Sequence, residues 1–191
     1  MSHVMLHTPD TALWHALVGE AQAAAGCMLD QETEGYLVTT LVRFIGNMGQ
    51  GQENQKQNNS MGLLDDFLDT GQIHYGNMQE VADQCLILAG LLPDYAGQKQ
   101  ISINYFVELG QGTYAKLAAG DFDNVYAHMS RDFVKLMDVL QNLREIDDGR
   151  SCLEPMQAHE LWTSVGSKNA KKTLDKISSS ALFMHGTDSI H

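Results

Sequence analysis

Between Phe122 and Leu143, apolar residues fall at Phe122, Tyr126, Met129, Phe133, Leu136, Leu140 and Leu143, spaced alternately four and three apart. This is the heptad period of an amphipathic helix that must bury one stripe along its whole length. Val125 and Met137 widen the stripe beyond the narrow seam of a two-stranded coiled coil. The intervening Asn124, His128, Arg131, Asp132, Lys135, Asp138, Asn142 and Glu145 are expected to form its solvated face. A chain built on such a helix is a helical assembly, and the first question is what covers the stripe.

The preceding segment supplies a partner. Ile101 to Ala119 is apolar around most of its circumference, with Asn104, Glu108 and Gln111 making one polar stripe. Ala119-Gly120-Asp121 is a tight connection, which returns the chain antiparallel and makes Ile101–Leu143 a central helix hairpin. Gly110 lies among the apolar positions of the first arm. A glycine inside a helix costs about 1 kcal/mol relative to alanine, so a close backbone approach is expected there.

The rest of the chain also reads as helices between breakers. Thr8-Pro9-Asp10 starts a helix that carries Leu13, Trp14, Leu17, Val18, Ala21, Ala24 and Ala25 on one face and ends at Gly26. Asp30 caps a second helix reaching Ile45, where Gly46 stops it. Residues 46–60, rich in Gln, Asn and Gly, read as a mobile surface loop because they hold too little apolar surface to offset ordering entropy. Ser60 opens a short helix with Met61, Leu63, Leu64, Phe67 and Leu68. Asn77 with Glu80 forms a capping box ahead of a helix closed by Pro93, whose second half is apolar nearly all round and therefore buried. Ser151 with Glu154 forms another, ahead of Met156, His159, Leu161, Trp162 and Val165. After Gly166-Ser167 a last helix presents Leu174, Ile177, Ala181 and Leu182 to the body, and residues 186–191 are a frayed tail. The expected fold is one all-α domain over residues 1–191, a bundle of about six to eight helices around the central hairpin. No stretch alternates with period two, so no sheet is expected.

Charge narrows function. Twenty-four acidic residues face 12 basic ones, for a net charge of −12. Phosphate backbones and anionic lipid both require a basic surface, so neither nucleic acid nor membrane is an expected partner. The N-terminal residues carry no secretory pattern, and Cys27, Cys85 and Cys152 are scattered and odd in number. The expected compartment is the cytoplasm, with reduced thiols that behave as small apolar side chains. One segment reverses the overall sign: Lys168, Lys171, Lys172 and Lys176 lie within nine residues. They form either a solvated helix face or a docking face for an acidic partner.

No motif carries chemistry by itself. Glu-x-x-His, His-Glu-x-x-His, a phosphate-binding glycine loop and Gly-x-Ser-x-Gly are all missing from the sequence, so no metal or other cofactor is expected. Glu20, Glu34 and Glu108 lie on or beside apolar arcs of three different helices and could converge on a metal or a cationic ligand. His128 and Asp132, one turn apart, read as an outward surface pair, and Asp121-Phe122-Asp123 reads as acids at a helix start. The preferred function is a non-catalytic helical interaction module, an adaptor, regulator or chaperone that meets a protein partner or self-associates. The alternative is a helical-bundle enzyme that binds metal or a small ligand through the inward carboxylates Glu20, Glu34 and Glu108.

Overall fold

The computed structural model describes residues 11–49, 77–120 and 124–185. These residues form nine helices and no strand: α1 (Thr11–Ala25), α2 (Gln31–Gly49), α3 (Met78–Gly90), α4 (Pro93–Lys99), α5 (Ile103–Gly120), α6 (Asn124–Arg131), α7 (Phe133–Asp148), α8 (Pro155–Val165) and α9 (Lys168–His185). None is long and apolar enough to cross a membrane. The expected short helix around Phe67, the start at Thr8, the residues Asp121 to Asp123, the tail from 186 and most of the Gln/Asn/Gly-rich loop lie outside the described residues. The described part of that loop, Gly46 to Gly49, continues α2 as helix.

The helix ends follow local chemistry. Asp30 caps α2 with both oxygens, accepting from Thr33 N–H at 2.9 Å and from Thr33 Oγ1 at 2.9 Å. Gly26, Gly149 and Gly166 close α1, α7 and α8 in the left-handed region, at φ +62°, +62° and +71°. Two expected caps are corrected. Asn77 makes no side-chain bond to α3. Glu154 rather than Ser151 stands at the start of α8, where Gln157 Oε1 accepts from Glu154 N–H at 3.0 Å. Ser151 turns instead to the Thr173 hydroxyl, 2.8 Å away.

The stripe from Val125 to Leu140 is core: Val125, Met129, Phe133, Leu136, Met137 and Leu140 are all buried within the chain. Its helix is not continuous. At Asp132 the backbone leaves helical geometry (φ −98°, ψ 11°) and divides α6 from α7. α5 and α6 run antiparallel, as the pairs Gln111 with Ser130 and Tyr114 with Tyr126 show. The most enclosed helix is α3, in which every residue from Val81 to Gly90 is buried. It packs chiefly on α5 and also on α7, so the hairpin arms close over α3.

Two glycines permit that closure. A Cβ at Gly110 would strike the Phe133 ring and lie 3.0 Å from Cys85 Cβ. A Cβ at Gly90 would lie 2.5 Å from Leu140 Cβ. The Cβ atoms of Leu140 and Cys85 are fixed to their helices, so those neighbours would have to move as helices. Gly112, also in α5, has nothing within 4 Å of its position. We therefore expect Gly90→Ala to destabilise the fold by about 1–3 kcal/mol through overpacking. Gly112→Ala should stabilise it by up to about 1 kcal/mol through helix propensity. Urea denaturation of the two variants measures both signs.

Candidate functional site

The basic helix α9 is held on the body by a polar seam that the heptad pattern concealed. Asp138, Asn142 and Glu145, expected on the solvated face of the central helix, are buried at 4%, 3% and 9% exposure. They face the first turns of α9. Asp138 accepts from Ser167 Oγ at 2.5 Å and from Lys168 N–H at 2.9 Å. Ser167 Oγ in turn accepts from Ala170 N–H at 3.0 Å, so it caps α9. Asn169 is the second lock: its amide donates to Gln141 Oε1 and to Glu145 Oε1, each at 3.2 Å. Its oxygen accepts from Asn142 Nδ2, also at 3.2 Å. Burial raises the Asp138 pKa, and the Ser167 and Lys168 donors pull it back. A carboxylate at a helix N-terminus also meets the favourable end of the dipole.

Anchored at its start, α9 then leaves the body. Thr173 is buried and Leu174 half-buried, but every residue from Asp175 to Ser180 is exposed. Ile177, expected to face the body, is 40% exposed. Lys168, Lys171, Lys172 and Lys176 are all exposed, against the single acid Asp175. Lys171 Nζ stands 5.0 Å from the centre of the Trp162 ring, which is itself exposed. Lys172 and Lys176 rim a groove of about 120 Å³ whose other walls are Ala24, Asn142, Glu145, Ile146 and Gly149. The arrangement presents cations on a firmly held helix beside a small polar groove.

The three carboxylates that could converge form no common cluster among the described residues. Glu20 and Glu108 are exposed. Glu34 is tied to α1, accepting from Gln22 Nε2 at 2.9 Å and lying 2.8 Å from His15 Nδ1. Those two partners hold its pKa below the usual carboxylate value. Each of the three acids lies near a helix margin, where a carboxylate reaches water or a neighbouring side chain before it reaches the core. His128 and Asp132 do not pair with each other either. Asp132 is buried and takes Arg131 and Lys135, each at 2.7 Å, while His128 turns to Asp30 on the adjoining helix. His159 is exposed.

The sequence reading passed over Asp83. It lies in the middle of α3 at 3% exposure and accepts from Tyr36 Oη at 2.9 Å, from Tyr114 Oη at 2.5 Å and from Arg43. Tyr36, Tyr114 and Tyr126 gather their rings within 6.3 Å of one another. Burial raises the Asp83 pKa, and the Tyr114, Arg43 and Tyr36 donors oppose that rise. The signal in the sequence is an aspartate just ahead of the half of this helix that is apolar nearly all round. The cavity beside it, lined by residues such as Thr40, Arg43 and Glu80, is about 30 Å³, room for about one water. Small-molecule sites need about 300–1,000 Å³, so the Asp83 cluster is a structural joint between α2, α3 and α5. The three thiols are free, and burial pushes them all upward, Cys152 to about 12, which favours the thiol over the thiolate.

Tyr114→Phe removes one donor from a buried carboxylate and should cost about 1.5–3 kcal/mol in urea denaturation. Asp138→Ala leaves the Ser167 hydroxyl and Lys168 N–H without their acceptor. We expect a loss of about 1–3 kcal/mol, with hydrogen exchange rising first in the opening turns of α9. Set against family models, curated proteins and solved structures, the chain matches none.

Proposed function

We propose that this protein is a non-catalytic interaction module that docks an acidic helical segment of a partner protein on the lysine face of α9. One observation carries the reading: a helix locked at its start by a buried polar network projects past the body with every residue from Asp175 to Ser180 exposed. The charge of this exposed face is opposite to that of the whole chain. Four of the 12 basic residues lie on it in a chain of net charge −12. Lys168, Lys172 and Lys176 follow at four-residue steps, a rise of about 6 Å each. A partner helix with an acid at every fourth position has the same rise, so several charge pairs form in register. The groove rimmed by Lys172 and Lys176 supports the reading, because it offers a recess for one such side chain.

Charge of this kind steers encounter more than it sets final affinity, so binding should depend steeply on salt. The test uses a labelled helical peptide with glutamate at every fourth position, followed by fluorescence anisotropy. Binding is expected at about 0.01 M salt, where screening extends about 30 Å, and loss at about 1 M, where it extends about 3 Å. The triple variant Lys171→Glu, Lys172→Glu, Lys176→Glu should abolish binding while leaving the helical circular dichroism unchanged. Equal binding by the variant would remove the lysine face from the account. A size in solution that grows with protein concentration, and reverts in the same variant, would make a second copy of this acidic chain the partner.

A further inference from the structure

We infer that Asp30, Glu32 and His128 form a divalent metal site that clamps the start of α2 to α6, for a borderline transition ion of the zinc class. The three residues each bring one ligand atom within 4.8 Å of the others. They come from two elements: Asp30 and Glu32 from the first turn of α2, and His128 from α6, about a hundred positions along the chain.

His128 is what distinguishes the cluster from a group of surface acids. Its Nδ1 is shielded from solvent and has no hydrogen-bond partner. It points at Asp30 Oδ2 from 3.5 Å, beyond hydrogen-bond length. A tetrahedral zinc ion with bonds of about 2.0–2.1 Å holds neighbouring ligand atoms about 3.3–3.4 Å apart. The separation therefore matches two ligands of one ion better than a donor and its acceptor. Glu32 is exposed and rotates freely enough to bring its oxygen onto the same centre.

The surroundings fit the assignment. Thr33 fixes the Asp30 carboxylate through its N–H and hydroxyl, as an outer layer of partners orients a metal ligand. A carboxylate has about four lone-pair sites, so the two bonds from Thr33 leave room for an ion. Arg131, whose charge also reaches Asp30, and Lys135 both spend their hydrogen bonds on Asp132, at 2.7 Å. The helix dipole at the start of α2 opposes a cation, but only as about half a positive charge, against two carboxylates. One imidazole and two carboxylates suit zinc or manganese, whereas magnesium and calcium favour all-oxygen sets. Asp30 and Glu32 are exposed, so the fourth position of the ion faces water.

The test is independent of the lysine face. The full chain, stripped with a chelator, is titrated with Zn²⁺ by calorimetry, and its melting is followed with and without the ion. One ion per chain is expected, with a rise in melting temperature that magnesium does not reproduce. Glu32→Gln and His128→Ala should each weaken binding by about 10–100-fold or more. Glu32→Gln alters an exposed side chain, so its metal-free circular dichroism should equal that of the parent, and it keeps the test decisive if His128→Ala disturbs packing. Lys172→Glu should bind zinc as the parent does. Absence of zinc binding would overturn the assignment. So would binding of equal strength in Glu32→Gln and the parent, which would place the ion on the other histidines and cysteines.

Discussion

The Asp83 carboxylate is the constraint that the interior depends on. An isolated carboxylate in an apolar interior is prohibitively expensive, and a polar group left without a partner costs several kcal/mol. At 3% exposure Asp83 is tolerated because Tyr36, Tyr114 and Arg43 all reach it. Those partners come from α2 and α5, so α3 cannot be enclosed without fixing both neighbours in one register. The rings then stack outward, with Tyr126 parallel to Tyr114 at 6.2 Å, and carry the same constraint to α6. Apolar packing alone would allow these helices to slide; one buried charge with directional partners does not.

A second polar seam does for α9 what Asp83 does for the core. Gln141, Asn142 and Glu145 on α7 meet Asn169, and Asp138 meets the N-terminus of α9. The seam lies on the side of α7 opposite the apolar stripe, so α7 is buried on two faces by two kinds of chemistry. The consequence for function is mechanical. The lysines stand on a helix whose root is fixed by at least five hydrogen bonds and whose residues from Asp175 to Ser180 are exposed. A rigid root limits the entropy lost on docking, which is what an electrostatic surface needs if it is to bind as well as attract.

Much of the scaffold was legible in the sequence because it rests on periodicity and on residues with single physical roles. The four-three spacing from Tyr126 to Leu140 marks the buried stripe, and Gly110 marks the close approach of Phe133 and Cys85. Gly26, Gly149 and Gly166 mark helix ends that require positive φ. What periodicity could not show is which polar residues have partners. Asp138, Asn142 and Glu145 look solvated on a helical wheel because a wheel scores polarity, and a polar face docked on another polar face scores the same as one in water. A meeting of Glu20, Glu34 and Glu108, the alternative that their places on apolar arcs allowed, is a different case. Sharing a helix margin says nothing about which neighbour lies opposite, and Glu34 found His15 and Gln22.

By itself, the sequence determined the helical class, several helix ends, the apolar stripe and the sign and position of the exposed lysine cluster, since each depends on residues within a few turns of one another; the break at Asp132 and the short helix Pro93–Lys99 did not follow from it. Only the tertiary structure decided that α3 is the enclosed element, that Asp83 joins three helices, that α9 is anchored by α7 and that His128 looks across to Asp30. Those contacts join residues 24 to 98 positions apart. Such pairings carry no local signal, because hydrogen bonds and ligand geometry are satisfied by position in space and any of several polar residues could have supplied them.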